Sequence, residues 1–129
     1  MIPEELRYSP QHEWVRELGD RVVRVGITHY AQEQLGDVVF VDLPDVGRKA
    51  SGGTPVGEVE STKSVSEIFA PVAGEVVAVN PELEDNPALV NSDPYGAGWM
   101  LELRLADDAD EQAAELLDAT AYRELTDAS

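Results

Sequence analysis

Lys63 is one of only two lysines in a chain of 129 residues. It sits in the run Val56-Gly57-Glu58-Val59-Glu60-Ser61-Thr62-Lys63-Ser64-Val65-Ser66-Glu67-Ile68-Phe69-Ala70. A primary amine on a flexible four-carbon stem suits a covalent tether. Ser61, Thr62 and Ser64 are small and polar, so another enzyme's cleft can close around them, and Glu58, Glu60 and Glu67 add flanking charge. Strand-like stretches at 56–61 and 65–70 flank the polar centre, which places the amine at the tip of a β-hairpin. Most lysines on turns are ordinary surface residues. Lys63 differs from Lys49 in having two matched strands around it, whereas Lys49 falls in a looser turn.

Other chemistry is scarce. No Gly-x-Gly-x-x-Gly, P-loop or Gly-x-Ser-x-Gly run occurs. The two histidines, His12 and His29, lack partners at metal-ligand spacing, so no metal site is expected. With no cysteine, disulfides, thiolate metal sites and cysteine nucleophiles are excluded. His12-Glu13-Trp14 offers an imidazole next to a carboxylate. Neighbours on a strand point to opposite faces, so the expectation is a packed Trp14 beside surface polar groups.

The elements that would position Lys63 read mostly as short strands: 21–27, 37–43, the two hairpin arms, 74–80 and 99–105. Gly/Pro turns at 46–48, 51–55, 71–74 and 93–96 separate them. Many short strands punctuated in this way suggest a sandwich or barrel. Residues 28–35 read as a short helix, with Thr28 as N-cap, Gly36 beyond its end, and Ala31 and Leu35 on its buried face. A second helical region near 107–125 opens on Asp107, Asp108, Asp110 and Glu111, which suits the positive end of a helix dipole. It carries Ala109, Ala113, Leu116 and Leu117 at helical spacing, with a break expected near 118–120. The stretch 81–98, with three prolines and two glycines, reads as an ordered loop.

The length fits one domain over 1–129 with a core of its own. A formal net charge of -17 disfavours nucleic acid and anionic membranes as partners and suits basic patches on other proteins. The first residues hold no apolar signal-peptide core, and no apolar run approaches the roughly 20 residues of a membrane span. A cytoplasmic location is the default.

The residues around Lys63 resemble the lipoylation site of the glycine cleavage system H protein family. So do His12-Glu13-Trp14-Val15, Val25-Gly26-Ile27-Thr28, residues 31–41, Pro71 to Val76, Leu89-Val90-Asn91 and Asp93-Pro94-Tyr95-Gly96-x-Gly98-Trp99, in order. Together they span about residues 8 to 123. The resemblance implies a mainly β, lipoyl-domain-like barrel-sandwich hybrid with a few helices, and a carrier without catalysis of its own. It implies (R)-lipoate in amide linkage to the lysine at position 63. The arm would take an aminomethyl group of glycine from the P-protein, pass it to the T-protein and be reoxidised by the L-protein. A lipoyl ligase, or an octanoyltransferase with a lipoyl synthase, would install the group. In the family the loaded arm folds into a cleft. There Glu13 and Glu67 match acidic positions, Gln11 lies nearby, and Gln34 stands where some members have His.

Four other readings compete. A lipoyl domain of a 2-oxo-acid dehydrogenase usually carries Asp-Lys-Ala and a linker, and a biotinyl domain has Met on both sides of its lysine. This chain has Thr62-Lys63-Ser64 and no linker. An H-like protein that only relays lipoyl groups to other enzymes is the alternative role. A stand-alone enzyme would need an active site, and none is read here.

Overall fold

The computed structural model describes residues 2–127. Six antiparallel strands form one sheet in the order β1 (Arg7–Tyr8), β2 (Glu13–Gly19), β3 (Val22–Ile27), β9 (Leu101–Leu105), β8 (Gly74–Val79) and β5 (Lys49–Ala50). Three more, β4 (Val38–Asp42), β6 (Pro55–Ser61) and β7 (Val65–Phe69), form a second antiparallel sheet. Alternation of side chains supplies the inner faces. Val25, Ile27, Val76, Leu101 and Leu103 of the large sheet share one core with Val38, Val41, Val56, Val59 and Ile68 of the small one. Burying each such side chain stabilises the fold by about 1.5–3 kcal/mol. The sheets face each other without closing, which is the expected barrel-sandwich hybrid.

A second cluster of Leu6, Tyr8, Trp14, Ala119 and Tyr122 packs the C-terminal helix α5 (Ala119–Asp127) onto the β1–β2 side. Tyr8 and Tyr122 stack with ring centroids 4.6 Å apart. Gly26 opposite Trp14 is required here: a Cβ on it would lie 2.7 Å from the indole Nε1. That Nε1–H donates to the Pro94 carbonyl at 2.8 Å.

Helix α1 (His29–Leu35) begins as expected. The Thr28 hydroxyl accepts from the Ala31 amide at 3.2 Å, and Gly36 ends the helix at φ 84°. The region near 107–125 divides into α4 (Asp110–Glu115) and α5. Leu116 is extended, and Leu117 exchanges two 2.8 Å backbone hydrogen bonds with Tyr8. Asp118 then restarts the helix by accepting from the Ala121 amide at 2.8 Å.

Three expectations need correction. The loop 81–98 contains two one-turn helices, α2 (Glu82–Asp85) and α3 (Leu89–Ser92). Buried Asn80 organises the entry to α2, accepting from the Glu82 amide and donating to the Ala97 and Trp99 carbonyls. Strands β1 and β5 were not read in the sequence, and β2 only as strand around residues 12–14, because β1 and β5 are only two residues long and β2 carries Arg16 and Glu17 amid its apolar residues. Lys49 belongs to β5, paired with Glu75, rather than to a loose turn. No helix among the described residues is long and apolar enough to cross a membrane.

Candidate functional site

The β6–β7 hairpin holds Lys63 exposed at its turn. Ser61, the last residue of β6, is buried and acts as the hub of that turn. Its amide and its hydroxyl both donate to the Ser64 carbonyl, at 2.8 and 3.1 Å. The same hydroxyl oxygen accepts from the amides of Lys63 and Ser64, at 3.3 and 3.0 Å. A serine hydroxyl that satisfies backbone groups two and three residues on is a local substitute for ladder hydrogen bonds. The Thr62 amide donates to the Asp37 carbonyl at 3.0 Å, tying the tip to the end of α1. The lysine stem packs against Gly36: a Cβ placed there would make ordinary van der Waals contact with Lys63 Cε at 3.5 Å. The amine therefore hangs on a flexible stem from a rigid base.

A cleft of about 460 Å³ adjoins this turn. It runs between α1 and β7, with Ser64 and Val65 lining it beside Lys63 and Glu13 lining it from the start of β2. Gln11, Gln34 and Glu67, the other arm contacts expected from the family resemblance, also line it, as do His12, Tyr30 and Ser66. Gln11, Gln34 and Glu67 are exposed, whereas Glu13 is 1% exposed. A larger open groove of about 680 Å³ lies along Asp42, Asp45, Arg48 and Glu58, and Glu67 borders both.

Glu13 is not the surface group expected from strand alternation. Its Oε1 accepts from the Ser9 hydroxyl at 2.5 Å and its Oε2 from the Phe69 amide at 3.4 Å. Burial, opposed in part by these two hydrogen bonds, raises its carboxyl from 4.5 to about 7. His12 does not point away from it either. His12 lies outside the regular strand at φ 72°, so alternation does not apply, and both residues line the cleft. Burial lowers the His12 pKa below the ordinary imidazole value.

The site can thus offer a primary amine at a fixed turn, next to a polar cleft that ends on a buried carboxyl. Residues 6–129 match the family model described as "Glycine cleavage H-protein". The chain belongs to the glycine cleavage H-protein family. It is 58% identical to the glycine cleavage system H protein of Mycobacteroides abscessus over 128 residues, 98% of each chain. It is 60% identical to that of Nocardia farcinica over 125 residues, 95% of each. Its fold is similar to the crystal structure of a glycine cleavage system H protein from Mycobacterium marinum. The TM-score is 0.86 at 43% identity, covering 97% of this chain and 98% of that one. As a member of the H-protein family the chain is a lipoyl carrier of the glycine cleavage system, with covalently attached lipoate as its cofactor.

Sequence reasoning missed Ser61 as the organiser of the turn, having taken it as a neutral flank. A Ser three residues before a residue whose amide needs a partner was the available signal. It also set His12 aside on a strand argument that its left-handed backbone invalidates.

Proposed function

We propose that Lys63 is the lipoyl attachment point, and that the cleft beside it receives the loaded end of the arm. The observation that carries this reading is the exposed lysine on an anchored hairpin at the edge of a cleft ending on Glu13. Lys63 forms no ion pair among the described residues, so its amine is available for acylation. When bound, the group supplies a dithiolane that takes up the aminomethyl group of glycine and later yields it, with the dithiol reoxidised afterwards.

The chain's own residues bind, orient and shield. Ser61 fixes the turn from which the arm swings. Glu13 and Glu67 offer acceptors to a cationic amine, Gln11 and Gln34 add polar contacts, and Val65 and Ile68 help exclude water. Gln34 cannot titrate as a histidine would, so the carboxyls carry the pH dependence of this grip. One non-catalytic carrier domain over residues 1–129 performs this role in the cytoplasm. Its partners are the P-protein decarboxylase, the T-protein aminomethyltransferase and the L-protein dehydrogenase. A lipoyl ligase, or an octanoyltransferase with a lipoyl synthase, modifies it. A tethered arm keeps its reactive end at high effective concentration near each docked partner.

Intact-mass measurement with peptide mapping of protein from its native host is expected to place one lipoyl group on Lys63. Lys63→Arg is expected to abolish both the mass increment and glycine decarboxylation with the P-protein. An unmodified Lys63 in native protein, or an active Lys63→Arg variant, would sink the reading.

A further inference from the structure

Tyr122 belongs to α5, in the second core cluster, yet its hydroxyl reaches the cleft wall. It lies 2.7 Å from His12 Nδ1 and 2.7 Å from Thr28 Oγ1. Thr28 is fully buried, and its oxygen already accepts from the Ala31 amide. A buried hydroxyl must place its own hydrogen as well. The Tyr122 oxygen is the only acceptor bonded to it among the described residues. That requirement gives the chain one direction. Thr28 donates to Tyr122, Tyr122 donates to His12 Nδ1, and the imidazole carries its proton on Nε2.

We infer that Tyr122 is a positioning residue of the cleft, fixing His12 as the Nε2–H tautomer through the directed chain Ala31–Thr28–Tyr122–His12. Several other features agree. The His12 carbonyl accepts from the Thr28 amide at 3.1 Å, which holds the two residues in step. Tyr30 packs on the His12 ring with centroids 4.7 Å apart. Burial raises the Tyr122 hydroxyl to about 12, so it keeps its proton as a donor. The titratable groups facing the ring are Tyr122 from α5, Tyr30 from α1, Glu13 beside it and Glu67 on the same cleft.

The consequence for the site rests on the proposed role of the cleft. An imidazole whose Nδ1 is occupied by a donor resists a second proton there. The wall beside Glu13 thus stays free of a positive charge that would repel a cationic amine. Helix α5 thereby sets the charge of a cleft that it does not itself line.

Long-range ¹⁵N–¹H NMR of the unmodified full chain tests the tautomer directly, since His12 and His29 are the only imidazoles. The expected spectrum shows His12 as Nε2–H alone, titrating below the ordinary imidazole range. Tyr122→Phe keeps the stack on Tyr8 and removes only the hydroxyl. It is expected to mix the tautomers and move the His12 titration upward, whereas Thr28→Ser is expected to retain the wild-type pattern. A wild-type His12 protonated on Nδ1, or a Tyr122→Phe spectrum identical to wild type, overturns the inference whatever the cleft holds. On the lipoylated, aminomethyl-loaded chain, Tyr122→Phe is expected to release amine several-fold faster. Unchanged release in this variant with faster release in Glu13→Gln overturns the positioning role alone. Unchanged release in both overturns the cleft reading and the inference with it.

Discussion

Glu13 makes a pH-dependent contribution whose sign follows from its burial. The folded chain holds the carboxyl proton up to about pH 7, whereas the unfolded chain releases it near 4.5. Between those values the native state binds more protons, so stability falls as pH rises through this window and levels off above it. At roughly 1.4 kcal/mol per pH unit the full loss is about 3 kcal/mol. Urea denaturation of Glu13→Gln is expected to show a flatter profile from pH 4.5 to 7 and a more stable protein than wild type at pH 8. Ser61 lends itself to a different measurement. Removing its hydroxyl in Ser61→Ala leaves the Lys63 and Ser64 amides without their acceptor and costs about 1 kcal/mol of turn order. Acylation of Lys63 by a lipoyl ligase, followed by mass shift, is expected to slow several-fold while the melting temperature falls by only about 4 °C. Lys63 could be singled out from sequence because its signal is local: a lone amine between two strand patterns. The burial of Glu13 could not, because it depends on Ser9 and on Phe69, 56 residues away.

The β6–β7 hairpin was legible for the same reason, since its arms and turn lie within one stretch of chain. Its cross-strand neighbours were not. Asp42 pairs with Glu58, and Glu58 with Glu67, so three carboxylates stand in one row across β4, β6 and β7. Like charges opposite one another destabilise a sheet by a few tenths of a kcal/mol per pair. Glu58→Gln is expected to raise stability by about 0.5 kcal/mol in dilute buffer. That gain should vanish in 1 M salt, where the screening length is about 3 Å, and chemical denaturation at two ionic strengths reads it. The row lies below the Lys63 turn, separated from it by the Val59–Ser66 and Glu60–Val65 pairs. The short helices α2 and α3 escaped sequence reading because single turns leave no periodicity. The entry to α2 depends on Asn80, whose side chain bridges residues 97 and 99, and α3 on Asn91, which donates to Gln32 and to the Gly36 carbonyl.

At the level of the whole chain, the class of fold was readable from strand and turn spacing, but the order of the strands was not. The large sheet joins β3 to β9 and β8 to β5, pairings that link distant parts of the chain through core packing. The C-terminal helices follow the same rule. The sequence locates a break near 118–120, and the Leu117–Tyr8 bridge sets it at residues 116–118.

The irregularity in β4 between Val38 and Phe40 turns two successive apolar residues outward, leaving Val39 49% and Phe40 55% exposed. They form a small exposed apolar spot among carboxylates, with Glu60 standing between Phe40 and the exposed Val65. Such a spot stays dispersed only while copies repel one another. As acidity approaches the isoelectric point near 4.2, that repulsion fades while the patch remains. The colloidal behaviour of this carrier near its isoelectric point is therefore tied to a single misaligned strand position.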